Sequence, residues 1–356
     1  MGDKLNIAVA CGGTGGHIFP GLATARVLME RGHNVSLWLT GKSVEDAALK
    51  GWKGRVVTVP AEGFQFGAFR SVLTALRMGG AVVHCWWNMR RHRPDIVLAM
   101  GSYASIGPCL AARLRGIPVV LHEANAVPGK AVRLLSGKAR AIAICFEETR
   151  YHLKGLNLVP TGMPLRPELR KPGIGRQKPG FRLLVMGGSG GAHAINEIVS
   201  TAVCSLRDPA VHVTHLTGFQ DADIVRKRYQ QAGVDAEVHT FVQNMAPLYQ
   251  NASLAVCRSG ASTCAELGLF GVPALLIPYP HAAGDHQTAN ARALEKRGAA
   301  DVIQQADMTD EWLKDYLTAQ IENSERLEKM RRHASRNLSL NAAGKLAELV
   351  EQCAWK

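Results

Sequence analysis

His17 closes the run Gly12-Gly13-Thr14-Gly15-Gly16, where an imidazole can take a proton from a hydroxyl near neutral pH while the neighbouring backbone amides face an anion. A second run of the same design, Gly187-Gly188-Ser189-Gly190-Gly191-Ala192, stands in the other half of the chain. Each follows a short apolar stretch and opens onto a helix-forming one, the arrangement in which a βα turn aims N–H groups at pyrophosphate. The segment Cys257 to Glu266 (CRSGASTCAE) adds small residues and hydroxyls that let amides approach phosphate oxygens, with Glu266 one turn into the next helix and able to accept two ribose hydroxyls. His122, Glu123 and Asn125 crowd the carboxyl end of a strand, where parallel sheets bind ligands. His281 to Asn290 (HAAGDHQTAN) gathers imidazole and amide groups suited to sugar hydroxyls, and lacks a third ligand of fixed spacing for a metal. His212 and His215, three apart in a strand-like run, fall on opposite faces and cannot share one.

Strands alternating with helices must hold these groups. Apolar runs at Leu5–Ala10, Val35–Leu39, Val56–Val59, Ile96–Ala99, Val119–His122 and Ala141–Cys145 predict one doubly wound parallel sheet. Runs at Arg182–Met186, Val211–Leu216, Ala236–Phe241, Leu254–Cys257 and Ala274–Ile277 predict a second, and the tail from Met308 reads as helical. The stretch between Pro160 and Pro179 is rich in Pro, Gly, Lys and Arg and reads as a linker. The fold class is therefore α/β, with two Rossmann-like domains, and 356 residues suit two cores better than one. A nicotinamide-binding fold requires G-x-G-x-x-G with an acid about 20 residues on. The third glycine is replaced by Ile18 in one turn and His193 in the other, and the second strand ends Trp38-Leu39-Thr40 without an acid. Phosphate cradling survives that test and hydride transfer does not. In the first turn, Pro20 suits the opening turn of a helix.

Composition bounds the partners. A formal charge of +13 asks for an anionic one, but no aromatic-basic RNA motif occurs, so nucleic acid is not expected. Eight cysteines without a C-x-x-C pair predict free, mostly buried thiols. No apolar run approaches the roughly 20 residues of a membrane span, and Met1–Ala10 reads straight into a core strand rather than a signal peptide, which predicts a cytoplasmic protein. Phe69 to Arg93 mixes Val72, Leu73, Leu76, Val82, Val83, Trp86 and Trp87 with five arginines, a composition suited equally to a buried helix with a solvated end and to the surface of an anionic bilayer.

Five motifs, in order and nearly spanning the chain, resemble the MurG family of peptidoglycan N-acetylglucosaminyltransferases. They are GGTGGH with Ile18-Phe19-Pro20 after it, HExNxxxG at 122–129, TGxPxR at 161–166, GGSxGA at 187–192 and CRSGAxTxxE at 257–266. The resemblance implies a GT-B fold of two Rossmann-like domains facing a cleft: residues 1–163 binding the acceptor and the membrane, and 164–356 binding the sugar nucleotide, with the last helix packing back on the first domain. It implies transfer of N-acetylglucosamine from UDP-N-acetylglucosamine to the C4 hydroxyl of lipid I, forming lipid II, at the cytoplasmic face of the bacterial plasma membrane. It puts Thr14, Gly15, Gly16 and Asn125 near the donor sugar, Arg166 and Ser189 near the diphosphate, and Val242 at the uracil. Ala261, Ser262, Thr263, Cys264, Ala265 and Glu266 meet the phosphates and ribose, and Gln287 the sugar hydroxyls. Arg70, Val72 and Leu76 match membrane-docking positions. The chain departs from the family pattern at Gly101 to Cys109, where a third glycine-rich turn has lost glycines, at Ala124, and at His286-Gln287.

An α-linked donor and a β-linked product imply inversion by in-line displacement. His17 is the expected base, with Glu123 or Asn125 orienting it, and Arg166, the amides near Ser189 and the helix beginning near Ser262 meet the charge on the leaving UDP. No cofactor is required on this scheme, and a divalent cation is at most stimulatory. The competing expectation is a UDP-N-acetylglucosamine 2-epimerase of the same architecture, which needs no acceptor.

Overall fold

The computed structural model describes residues 4–60, 68–169, 180–188, 191–335 and 341–354, apart from the side chains of 43, 44, 47, 68–76 and 167. The chain divides into two compact units, 1–166 with 341–356, and 167–340.

In the first unit seven parallel strands, β1 (Asn6–Ala10), β2 (Asn34–Leu39), β3 (Arg55–Thr58), β4 (Ile96–Ala99), β5 (Val119–Glu123), β6 (Ala141–Ile144) and β7 (Leu158–Pro160), lie in the order β3-β2-β1-β4-β5-β6-β7. The connecting helices are α1 (Gly15–Glu30), α2 (Ser43–Ala48), α3 (Ala68–His92), α4 (Ile106–Leu114) and α5 (Lys130–Ser136). Central strands such as β4 (IVLA) and β6 (AIAI) are buried at every position, because helices cover both faces and leave no side for polar residues. β7 escaped the sequence reading. It is three residues at a sheet edge, too short for an apolar period to show.

The second unit repeats the plan with β8 (Phe181–Met186), β9 (Val211–Leu216), β10 (Ala236–His239), β11 (Leu254–Cys257), β12 (Ala274–Leu276) and β13 (Ala300–Val302), in the order β10-β9-β8-β11-β12-β13. Its helices are α6 (His193–Leu206), α7 (Ala222–Ala232), α8 (Ala246–Asn251), α9 (Ala261–Phe270), α10 (His286–Lys296), α11 (Asp310–Glu322) and α12 (Ser324–Ser335). The other strand missed in the sequence, β13, is again a three-residue edge.

The last helix, α13 (Ala342–Ala354), belongs to the first unit. Leu346, Ala347, Leu349, Val350 and Cys353 complete the core under β4 and β6, and Glu351 accepts from Arg31 at 2.7 Å and pairs with His33 at 2.9 Å. The division falls directly after the motif Thr161–Arg166, and most of the expected linker, 170–179, lies outside the described residues.

In each sheet the strand order reverses once, between β1 and β4 and between β8 and β11. Loops leaving the carboxyl ends of such neighbours part to opposite faces and open a crevice, which is where a doubly wound sheet takes its ligand. Both glycine-rich turns leave from these points, after β1 and after β8.

Candidate active site

α1 begins at Gly15 with Thr14 as its N-cap residue, so Pro20 stands inside the helix and not in its opening turn as the sequence reading had it. The reason lies in the glycines. Gly13 adopts φ +125°, which a side chain disfavours, and Thr14 then returns to an extended backbone whose carbonyl accepts from the amides of His17 (2.9 Å) and Ile18 (3.1 Å). Close packing of helix on strand, sought at the third glycine position and missing at Ile18, is supplied by Gly21: a Cβ there would stand 2.4 Å from that of Cys11.

The Thr14 hydroxyl lies 3.0 Å from His17 Nδ1 and holds the ring of this half-buried histidine at that nitrogen. With Nδ1 as the donor to Thr14, Nε2 is the nitrogen that carries the lone pair. Beneath it lies His122, buried and pushed down to about 4, first by burial and then by the charge of His17, against a hydrogen bond with the Gly162 backbone. Its Nε2 lies 3.3 Å from Cys145 Sγ, so His122 is a neutral core histidine rather than a ligand-facing one.

Glu123 braces its own loop. Its Oε1 accepts from the Asn125 amide at 2.8 Å and from Asn125 Nδ2 at 3.3 Å, and its Oε2 accepts from the Gly129 amide at 2.9 Å at the entrance to α5. Glu123 therefore shapes the turn that presents Asn125. Arg166 lies with its guanidinium carbon 5.2 Å from the centre of the Phe19 ring, on the first turns of α1. In the altered third turn Gly101 (φ +83°) passes so close to the His122 carbonyl that a Cβ would stand 2.8 Å from it, while Ser105 donates to the Ala10 carbonyl at 3.1 Å.

The sequence reading missed Glu45. Its buried carboxylate accepts from the amides of Gly13 (3.0 Å), Thr40 (2.9 Å), Gly41 (2.6 Å) and Lys42 (3.2 Å) and from the Thr40 hydroxyl (2.7 Å). Burial alone would raise its proton affinity, but the Thr40 hydroxyl and the three amides of Gly13, Thr40 and Gly41 outweigh it and hold the group below the usual carboxylate range. No spacing rule links a residue on α2 to a turn after β1.

In the second unit Ser189 and Gly190 lie outside the described residues, and the rest of the turn shows how tightly it is built. Gly188 (φ +98°) and Gly191 (φ +79°) have left-handed backbones, and a Cβ on Gly191 would stand 2.3 Å from the Thr217 carbonyl. Behind the turn runs a polar relay that the sequence did not disclose. His193 pairs with Asp221 at 3.0 Å, Asn196 donates to Asp221 at 2.7 Å, and His215, fully buried, bridges Asn196 and the Tyr229 hydroxyl. The hydrogen bond to Asp221 raises the His193 pKa, whereas burial pushes His215 down to about 3. His212, as expected, points to the other face and meets Asp235 at 2.8 Å.

Across the switch point Gly260 caps α9, whose first amides have no intrahelical acceptors. Ser262, Thr263 and Glu266 keep partly exposed side chains there. Cys264 does not: it is buried, its thiol pushed up to about 12 by burial, and its amide is taken by the Gly260 carbonyl, so of residues 261–266 it offers a ligand least. Glu266 accepts from the Tyr249 hydroxyl at 2.7 Å, which orients the carboxylate from α8 and was also unforeseen. Arg258 is turned inward onto the carbonyls of Ile277 and Pro278. Gln287 accepts from the Tyr279 amide at 3.0 Å, and its NH2 group has no partner among the described residues, leaving it to donate to a hydroxyl. Val242 is half-buried against the core, beside Phe241, which is 60% exposed. Among the described residues no three His, Cys, Asp or Glu side chains converge to hold a metal ion.

The expected membrane segment is one helix, α3. Arg70, Val72 and Leu76 fall on it, but their side chains lie outside the described residues. Further along, Ala81, Cys85 and Met89 face the core, while Val83 and Trp87 are more than half exposed. Arg90 lies over both Trp86 and Trp87, and Arg115 over Trp86. Seven arginines and a single acid, Asp95, occupy residues 63–122. Among the described residues no helix is long and apolar enough to cross a membrane.

The glycosyltransferase family 28 N-terminal domain matches residues 7–144 and its C-terminal domain residues 182–350. A Hahella chejuensis protein described as UDP-N-acetylglucosamine:N-acetylmuramyl-(pentapeptide) pyrophosphoryl-undecaprenol N-acetylglucosamine transferase is 39% identical, covering 98% of this chain and 97% of its own. The crystal structure of Acinetobacter baumannii MurG is similar with a TM-score of 0.83 at 32% identity, covering 98% of this chain and 100% of that one. A putative UDP-N-acetylglucosamine 2-epimerase from Listeria monocytogenes shares the fold at a TM-score of 0.69 but only 14% identity, covering 97% of this chain and 95% of that one.

Proposed function

This chain belongs to glycosyltransferase family 28, and from that membership we propose how its two half-sites divide one reaction. It is a hexosyltransferase of GT-B fold that moves N-acetylglucosamine from UDP-N-acetylglucosamine to the N-acetylmuramyl group of lipid I, forming lipid II for peptidoglycan synthesis. The observation that carries this is likeness over the whole chain to transferases of that specificity, well above the level shared with the epimerase, which is a likeness of fold alone.

His17 takes the proton from the C4 hydroxyl, its ring set by Thr14, and the anomeric centre inverts. Asn125, on the turn that Glu123 shapes, meets the donor sugar together with Gly15, Gly16 and Gln287. Glu266, oriented by Tyr249, accepts from the ribose, and Val242 lies at the uracil. Arg166, Ser189 and the first amides of α9 meet the charge that develops on the departing diphosphate, electrostatic stabilisation that assigns no step to a metal, so a divalent ion would at most stimulate.

Docking of α3 on the cytoplasmic face of the plasma membrane fits an acceptor with a polyprenyl tail: Val83 and Trp87 enter the interface, and the surrounding arginines meet anionic headgroups at about 1 kcal/mol each. The product serves cell wall biogenesis and, through it, cell shape, division and the cell cycle. The test is transfer of labelled sugar from UDP-N-acetylglucosamine to a lipid I analogue. Conversion of donor without acceptor to UDP-N-acetylmannosamine would replace the transferase by the epimerase. For docking, Trp87→Glu is expected to weaken sedimentation with phosphatidylglycerol vesicles several-fold while leaving turnover of a soluble acceptor intact; unchanged vesicle binding would remove α3 from the interface.

A further inference from the structure

The first glycine-rich turn carries its own anion. We infer that Glu45 is a positioning residue of the transfer reaction: its carboxylate takes the place at Gly13 that a ligand oxygen would otherwise fill, and so sets Thr14 and His17 before substrate arrives. The inference rests on His17 acting at the acceptor, as proposed above.

The geometry is directional. Glu45 Oε1 accepts the Gly13 amide at 3.0 Å and the Thr40 hydroxyl at 2.7 Å, and Oε2 accepts the amides of Thr40, Gly41 and Lys42. The β2–α2 turn and the β1–α1 turn are thereby tied through a single buried group. Gly12 is pressed onto the same turn, since a Cβ there would stand 2.8 Å from the Thr40 amide. From Gly13 the path to the chemistry is one residue long: Thr14 caps α1 by its carbonyl and holds His17 Nδ1 by its hydroxyl. Five donors on one buried carboxylate cannot be satisfied by an amide. In Glu45→Gln one set of N–H groups faces an NH2 group instead of an oxygen, and the Gly13 segment must shift. A displacement well under 1 Å at a proton-transfer group is enough to lower turnover.

Three measurements on the full-length enzyme test this. In Glu45→Gln, assayed well below its melting temperature and normalised to folded protein by circular dichroism, kcat is expected to fall about tenfold or more with KM for donor and acceptor within about twofold. Thr40→Val, which removes only the hydroxyl bond, is expected to give a smaller fall in the same parameter, and it carries the test if Glu45→Gln does not fold. Amide exchange should speed up at 12–14 and 40–42 in both variants. A purely architectural Glu45 would lower the melting temperature and leave kcat per folded molecule unchanged, and that result overturns the inference. A wild-type enzyme that transfers no sugar at all would overturn the transferase instead, while the exchange measurement would still report on the tie.

Discussion

The two glycine-rich turns share a sequence design and differ in what answers their amides. In the first, Gly13 donates to Glu45, an acid of the protein itself, and the turn ends in a histidine whose ring is already held. In the second, the described amides meet no carboxylate; the nearby acid, Asp221, is directed to His193 and Asn196 behind the turn. Where the anion is internal, the turn is tied to a neighbouring loop before any ligand arrives; in the second turn the Gly191 amide is instead taken by the Gly188 carbonyl at 3.1 Å.

The largest expected effect would break this comparison at its first member. His17→Ala should lower kcat by about 10²–10⁴-fold with little change in melting temperature, as for loss of a general base; near-normal turnover in the folded variant would leave the first turn without a chemical role. At the second turn, Gly191→Ala should cost about 2–4 kcal/mol of stability, because a left-handed φ and a Cβ pressed on the Thr217 carbonyl cannot both be relieved. Thermal melting checks it, and a melting temperature within a degree of wild type would show that the turn is looser than its backbone implies.

Acidification acts on both units, and more gently. His122 and His215 are held neutral in the fold, at about 4 and about 3 against 6.5 when free, so below about pH 6.5 the unfolded chain binds protons that the folded chain refuses. Stability is then full above that pH and falls as pH drops, by up to about 1.4 kcal/mol per unit for each histidine, ceasing first for His122. Melting curves between pH 7.5 and 5 should show this, and His215→Asn should flatten the slope. The smallest effect is expected for Gly16→Ala. Its Cβ would meet nothing nearer than 3.8 Å, so stability should hold or rise by up to about 1 kcal/mol, while donor KM rises if the sugar rests on that backbone. An unchanged KM would remove Gly16 from the donor contacts.

Much of the fold was legible because it is written in consecutive residues. Runs such as IVLA and AIAI can only be strands buried on both faces, and glycine clusters after them can only be turns, so eleven strands and both loops were placed from local pattern. The two that escaped, β7 and β13, are edges too brief to carry a period. Motif residues were legible in the same way, as neighbours in sequence: Thr14 with His17, Glu123 with Asn125, Gly260 with Ser262.

What no reading of the chain could reach were partners whose proximity depends on strand order. Glu45 reaches Gly13 only because β2 lies beside β1; Tyr249 reaches Glu266 only because α8 and α9 pack together; and α13, which follows the second unit in sequence, finishes the core of the first. Backbone periodicity and turn chemistry are local energies and appear in any window of the sequence. Satisfying a buried carboxylate or covering an apolar face is a demand that only distant segments can meet, and tertiary packing decided which of them did.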